Sequence, residues 1–349
     1  MARAMHGSIY EFERLAPGDA ASSGGVNASG SRRAPARGAP LVGIVRNPRS
    51  HRNKGRLPEL ADCANILTET PRTRTALRET LARFAERGID YLAVDGGDGT
   101  VRDVLTCGAD VFGQRWPALV VLPKGKTNAL AVDLGLPNVW SLREALEAIR
   151  AGRTVTRRPL TVALPSDSDA QVNGFVLGAG VFTLSTQAGQ QAHRWGAFSS
   201  FAVGLTTLWS LLQALFGGSE NVWRRGTPMR LICDRGREVP HSRHGARDER
   251  FVLFASTLER FPLGMHPFGR VRAGLKLAVI DAPVRWMLAL IPLMLTGFDR
   301  PFMARHGFHR IDTEELELEL GDRFILDGEY FPAGRYRLRL GPELRFVVP

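Results

Sequence analysis

The sequence is short of lysine and cysteine and lacks an apolar leading run, and each shortage closes off a class of protein. Lys54, Lys124, Lys126 and Lys276 are the only lysines among 46 basic residues, so arginine carries nearly all of the formal +11 charge. Such a surplus attracts nucleotides, nucleic acid or an anionic membrane surface without choosing among them. The sequence shows no interleaving of basic and aromatic residues of the kind that stacks single-stranded bases, so no nucleic-acid partner is expected. Cys63, Cys107 and Cys233 stand apart with no CxxC pair. That pattern speaks against a disulfide framework or a zinc site and for a reducing, cytoplasmic compartment. The first residues contain no apolar stretch that reads as a secretory signal. Neither GxxxxGK[ST] nor a protein-kinase motif set occurs, so any phosphate loop must be of another type.

What is present fits a two-domain globular chain. Its 349 residues suffice for two cores, with 44% apolar and 23% charged content. Residues 1–40 are rich in Ala, Gly, Ser and Arg with no apolar period, and they read as a disordered tail. From residue 41 to about 155, apolar strands alternate with helical patterns. Strands are expected at Leu41–Val45, Ile89–Val94 and Ala118–Leu122. Helices are expected at Thr75–Gly88, Thr100–Thr106, Asn128–Leu134 and Ser141–Arg150, the last opened by a Ser141/Glu144 capping box. This alternation predicts an α/β domain, a parallel sheet with flanking helices and ligands at the strands' carboxyl ends.

From residue 156 to 349 helices become rare. Short strands follow one another, and Glu315–Leu320 alternates strictly, so an antiparallel β domain is predicted. Two apolar segments interrupt it. Trp195–Ser219 carries no charge, but its Ser, Thr and Gln residues gather on one helical face, so an amphipathic helix is expected rather than a membrane span. Val284–Leu295 is shorter and contains Pro292, and a buried or interfacial piece is expected.

The sharpest chemical signal is Asp95-Gly96-Gly97-Asp98-Gly99-Thr100, between a strand and a helix. Glycines let backbone N–H groups approach a phosphate, and the following helix adds its positive end. Asp98 has the chemistry to hold a metal-bound water or orient an acceptor hydroxyl. A glycine-rich turn capped by Asp is the plainer reading. Asn47-Pro48-Arg49-Ser50 follows the first strand, and Pro123-Lys124-Gly125-Lys126-Thr127-Asn128 follows the third. All three loops can therefore meet in one crevice. Asn47, Ser50, Thr127 and Asn128 offer neutral hydrogen-bonding groups, and Lys126 offers charge. Arg46, Arg49, His51, Arg52 and Lys54 make the first loop basic, and a solvated loop is the plain account of them. Late in the chain Asp327-Gly328-Glu329 follows the strand Phe324–Leu326, where Asp-Gly is first of all a hairpin signal.

Together these motifs resemble the diacylglycerol kinase catalytic family, which includes sphingosine, ceramide and bacterial lipid kinases. The family carries Asn-Pro-x-Ser-Gly, Gly-Gly-Asp-Gly-Thr, Pro-x-Gly-Thr-x-Asn and a late Asp-Gly-Glu. Here they stand in the same order at Asn47–Ser50, Gly96–Thr100, Pro123–Asn128 and Asp327–Glu329. The resemblance implies an α/β nucleotide-binding domain followed by a lipid-binding antiparallel β-sandwich, with ATP, magnesium and a lipid hydroxyl as acceptor. The one-sided polar face of Trp195–Ser219 and the positive charge predict a protein peripherally associated with the membrane that presents this lipid. The resemblance implies nucleotide contacts at Asn47, Ser50, Gly96, Gly97, Asp98, Gly99, Thr100, Lys126, Thr127 and Asn128. It also implies a catalytic base at Glu329 or Asp98, of which Glu329 is favoured. Three positions depart from the family pattern: His51 for glycine, Lys126 for threonine and Asp103 for glutamate. A metal-supporting Asp-Asp-Gly of bacterial relatives has Arg272-Ala273-Gly274 as its counterpart, so that site is expected to be missing. A soluble kinase of the NAD-kinase type, which shares the GGDGT loop, and a silent lipid-binding protein are the rival readings.

Overall fold

The computed structural model describes residues 39–60, 63–183, 226–271, 274–282 and 285–349. The expected tail, save its last two residues, and the segment Trp195–Ser219 lie outside these, as do Arg272 and Ala273. The chain forms two compact units. The first comprises residues up to Pro159 with Ser166–Asn173 and Pro342–Pro349, and the second comprises Leu160–Pro165 and Gly174–Gly341. Among the described residues no helix is long and apolar enough to cross a membrane.

In the first unit the elements run β1 (Val42–Arg46), β2 (Ile66–Glu69), α1 (Arg74–Glu86), β3 (Tyr91–Gly96), α2 (Asp98–Phe112), β4 (Ala118–Pro123), α3 (Ala129–Asp133), α4 (Leu142–Arg150) and β5 (Thr154–Arg157). The sheet order is β2-β1-β3-β4, then the C-terminal strand Leu344–Val347, then β5. All pairings are parallel except that of β5. β1 and β4 are buried along their whole length, as their unbroken apolar runs require. Thr73 caps α1 by accepting from the Ala76 N–H at 3.1 Å, and Leu77, Leu81 and Phe84 point inward. Gly43 on β1 makes room for that helix, since a Cβ there would lie 2.7 Å from the Phe84 ring. The expected capping box opens α4.

Helix α2 is longer than its expected seven residues and runs for 15. Gly108, beyond the expected end at Thr106, serves packing within the helix: a Cβ there would meet the Trp116 ring at 2.6 Å. The helix ends instead at Gly113, whose φ is +53°. β2, β5 and the C-terminal strand were not among the expected strands, being four residues each with mixed burial or no local signal.

The second unit is two antiparallel sheets. Its strands are β6 (Leu160–Leu164), β7 (Asp167–Gly174, most of which clusters with the first unit), β8 (Val176–Gly180), β9 (Thr227–Cys233), β10 (Arg237–Glu238), β11 (Glu249–Arg250), β12 (Val252–Ser256), β13 (Leu275–Ile280), β14 (Phe308–Thr313), β15 (Glu315–Leu320), β16 (Phe324–Leu326), β17 (Glu329–Phe331) and β18 (Gly334–Leu340). One sheet includes the order β10-β9-β15-β18-β6, and the other is β14-β13-β12-β8-β16-β17. The alternation of β15 is realised: Leu316, Leu318 and Leu320 are buried, while Glu315, Glu317 and Glu319 face Arg339, Arg337 and Arg335 of β18. These exposed pairs set register and contribute tenths of a kcal/mol each. Phe324 stacks on Phe331 at 5.1 Å and meets Tyr336 edge-on at 4.9 Å, joining the two sheets. Of the Val284–Leu295 segment, Val284 lies outside the described residues, and the remainder contains two short helices, Arg285–Ala289 and Ile291–Leu295. Pro292 sits in the first turn of the second helix, where its missing N–H costs nothing.

Candidate active site

Because β1, β3 and β4 are parallel neighbours, the three motifs that follow them emerge side by side within the first unit. The Asn47 N–H donates to the Asp95 carbonyl at 3.0 Å, and the Lys124 N–H donates to that of Gly96 at 2.9 Å. The Asn47 side chain accepts from the Arg49 N–H and donates to Thr100 Oγ1, both at 3.0 Å. The first loop is thus pinned to the first turn of α2. Gly97 and Gly125 touch backbone to backbone: a Cβ on Gly97 would lie 2.9 Å from the Gly125 Cα, and one on Gly125 would lie 2.8 Å from that of Gly97. Neither position has room for a side chain. Asn128, left-handed at φ +49°, accepts from the Gly125 N–H at 2.8 Å and donates to its carbonyl at 3.0 Å. Asparagine tolerates that conformation because its short amide bonds locally.

Asp98 lies in the first turn of α2, yet its carboxylate turns to the next helix. It accepts from the Ala129 N–H at 2.9 Å and the Leu130 N–H at 3.3 Å, capping α3. Burial pushes its carboxyl above the usual range, opposed by the N–H groups of Ala129, Leu130 and Asn128. Asp98 is therefore a clamp between two loops as well as a candidate for chemistry. Gly97, the cap of α2, has no side chain to offer, so no side-chain cap bond closes the positive end of this 15-residue helix. That cradle suits a polyphosphate. Lys126 and Thr127 are exposed at its edge, and Ser50 is half-buried.

The basic first loop is only partly a solvated one. Arg49, His51 and Lys54 are exposed, but Arg46 ends β1 in a buried ion pair with Asp95 at 2.8 Å. Arg52 donates to the carbonyls of Pro123 and Asn138, tying the first loop to the third. Asn53, which carried no signal in the sequence, is 3% exposed and donates to the carbonyls of Asn47 and Asp95, both at 3.0 Å. The legible clue to the Arg46–Asp95 pair was two opposite charges at the ends of two apolar strands, and these prove to be register partners. Burial raises the Asp95 carboxyl, against the pull of Asn53, Arg46 and Lys124. One of its oxygens, Oδ1, has no hydrogen-bond partner, and Asp95 lines a cavity of 170 Å³ with Arg46, Asn53, Glu59 and Lys124.

The fourth motif belongs to the second unit. Asp327 and Gly328, at φ +45° and +82°, form a two-residue turn that pairs Leu326 with Glu329. The hairpin signal is realised. The Asp327 carboxylate accepts from the Phe175 N–H at 3.0 Å and the Val176 N–H at 2.9 Å, fixing the turn to β8. Glu329 opens β17 and is half-buried. Among the described residues no group of three His, Cys, Asp or Glu side chains is placed to hold a metal ion.

Residues 44–162 match the diacylglycerol kinase catalytic domain. Over 78 residues the chain is 36% identical to the protein named "Probable lipid kinase YegS" of Shigella flexneri, and equally to its namesake in Escherichia coli O6:K15:H31. That stretch is 21% of this chain and spans a quarter of the length of those relatives. The crystal structure of a diacylglycerol kinase from Bacillus anthracis str. Sterne superposes with a TM-score of 0.62 at 15% identity, covering 90% of this chain and 98% of that one. That likeness is one of fold.

Proposed function

We propose that this chain, whose residues 44–162 carry a diacylglycerol kinase catalytic domain, is an ATP-dependent lipid kinase acting on a hydroxyl of a diacylglycerol- or sphingoid-type lipid. The observation that carries the reading is the convergence of three loops on one helix end, through Asn47–Thr100, Gly97–Gly125 and Asp98–Ala129.

In this reading the backbone of Gly96, Gly97, Gly99 and Thr100 receives the nucleotide phosphates. Asn47, Ser50, Thr127 and Asn128 orient the nucleotide, and Lys126 adds charge at the edge. Phosphoryl transfer depends on such positioning and charge more than on covalent chemistry. Asp98, the carboxylate of the glycine loop, would hold magnesium arriving with the nucleotide, and the metal would supply positive charge at the phosphates. Glu329 is the base. It takes the proton of the lipid hydroxyl as the new O–P bond forms and the bond to the departing ADP breaks. The protein works in the cytoplasm as a peripheral visitor to the membrane, with no nucleic-acid partner.

The test is ATP consumption by the purified chain with and without mixed micelles of a total lipid extract, followed by mass spectrometry of the products. A phosphorylated lipid that forms only with micelles supports the reading and names the acceptor. ATP consumed equally without lipid, with a soluble acceptor such as NAD, overturns it in favour of the soluble kinase. No consumption at all leaves a lipid-binding protein.

A further inference from the structure

Among the described residues seven large apolar side chains stand exposed, and four of them fall within 17 residues: Trp286, Leu293, Leu295 and Phe302. They lie on Arg285–Ala289, Ile291–Leu295 and Pro301–Arg305, three one-turn helices of the second unit. A surface helix needs one apolar face to dock on its own core, and these already have it in Met287, Leu288, Met294 and Met303, all at most 3% exposed. The outward apolar face is additional. Its rings form one group: Trp286 lies 6.2 Å from Phe302 and 5.0 Å from His306, and Phe302 lies 6.2 Å from His306. A fifth exposed residue, Leu263, is on the turn whose neighbour His266 donates its N–H to the Leu295 carbonyl at 2.6 Å.

The face has a fixed shape. Arg310, nearly buried, donates to the carbonyls of Met294 and Phe298 at 2.7 Å and of Pro267 at 2.9 Å. Beneath it the Asp281 N–H donates to the Gly307 carbonyl at 2.8 Å, and the Asp281 carboxylate is held by Arg250, His309 and the Ser242 N–H. The loop of Ser242 adjoins the patch, with His244 stacked on His306 at 5.9 Å. Residues 242–248 and 286–306 together carry four arginines and two histidines against two aspartates, one of which, Asp299, lies 3.6 Å from Arg310. A rigid, aromatic, apolar face within a cationic frame matches the interfacial layer of an anionic membrane, where indole rings settle at headgroup level and arginines meet phosphates.

We infer that the Trp286–Phe302 face is a docking surface for an anionic lipid bilayer. The inference rests on the lipid-kinase reading only in that such an enzyme must meet a membrane, and its test does not need turnover. The full chain is floated with phosphatidylcholine vesicles and with vesicles containing about one-third phosphatidylglycerol. It floats with the anionic set at low salt. Trp286→Ser/Phe302→Ser lowers the bound fraction by about tenfold or more. Arg300→Gln/Arg305→Gln lowers it about fivefold per charge and weakens its salt dependence. Both variants keep any activity on a short-chain, water-soluble lipid. Should the first variant fail to fold, brominated-lipid quenching of wild type against Trp286→Phe reads insertion directly: loss of quenching in the variant supports the inference, and equal quenching overturns it. A wild-type chain that does not float, or variants that float as wild type, overturn it. So does a non-floating wild-type dimer made monomeric by the apolar variant, which would assign the face to a second copy. Patch-dependent flotation without any lipid turnover keeps this inference and removes the kinase reading.

Discussion

The two units each contain an Asp-Gly step in a motif of interest, and the same dipeptide does opposite local work in them. Asp98-Gly99 opens a helix of 15 residues, and Asp327-Gly328 closes a two-residue hairpin. The side chains nevertheless act alike: each carboxylate accepts two backbone N–H groups from a distant segment, Ala129 and Leu130 in one case, Phe175 and Val176 in the other. In both units an aspartate that looks chemical is first a structural clamp. In the second motif that frees attention for the neighbouring glutamate. In the first, the clamping residue is also the one proposed to serve the nucleotide.

The sharpest way to break this comparison is Glu329→Gln, which keeps shape and removes the basic oxygen. If Glu329 is the base, kcat falls by about 10²–10⁴ while ATP binding holds. Full activity would shift the base to Asp98. Gly97→Ala comes next. Its Cβ has no room against Gly125, so the loops must part, and the KM for ATP should rise by about tenfold or more while the melting temperature also falls. An unchanged KM would show that the loop contact is not part of the nucleotide site.

Two buried aspartate–arginine pairs extend the comparison to pH. Asp95, beside Arg46, is raised by burial and has an oxygen without a partner. Asp281 is more deeply enclosed and burial raises it too, but bonds from His309 and Ser242 and the charge of Arg250 outweigh that and lower it to about 2. The number of donors decides, not burial alone. A carboxyl lowered in the folded state stabilises above its unfolded pKa and loses that contribution as pH falls through the folded one. Asp281 therefore contributes about 2 kcal/mol at neutral pH, lost between about pH 4 and pH 2. Asp95, raised, has the opposite sign and relieves a cost on acidification. Asp281→Asn should destabilise at pH 7 and flatten the acid limb of a denaturation profile. An unaltered acid limb would mean that other carboxylates govern it.

The two clamps should each be worth about 1–2 kcal/mol, so Asp98→Ala and Asp327→Ala should lower the melting temperature comparably. They should differ in turnover: with Asp327→Ala, KM for ATP stays near wild type, whereas Asp98→Ala loses both stability and activity. Equal kinetic losses would erase the distinction between the two motifs. The smallest effect is expected from Lys126→Thr, a few-fold rise in KM for ATP with kcat little changed, because an exposed ammonium is screened by water.

Much of this was legible one element at a time. The buried runs of β1, β3 and β4, the capping box of α4, the alternation of β15 and the Asp-Gly hairpin each follow from a few adjacent residues. The failures share a cause. The helix expected to end at Thr106 runs on to Phe112, with Gly108 packed under Trp116. Arg46 reads as a solvated loop residue until Asp95 is brought beside it. The apolar run 284–295 shows its hydrophobicity but not that Met287 and Met294 turn inward while Trp286 and Leu293 turn out.

The sequence by itself determined the order of the four motifs, the alternation that makes the first unit parallel and the period that makes the second antiparallel, because these depend on residues within one turn or strand of each other. Only the tertiary structure decided that Leu344–Val347 returns to the first unit's sheet, and that Asp98 and Asp327 grip backbone 31 and 151 residues away. A buried N–H must find an acceptor wherever the packed chain offers one. That partner is set by which strands lie adjacent after folding, a choice no local stretch of sequence records.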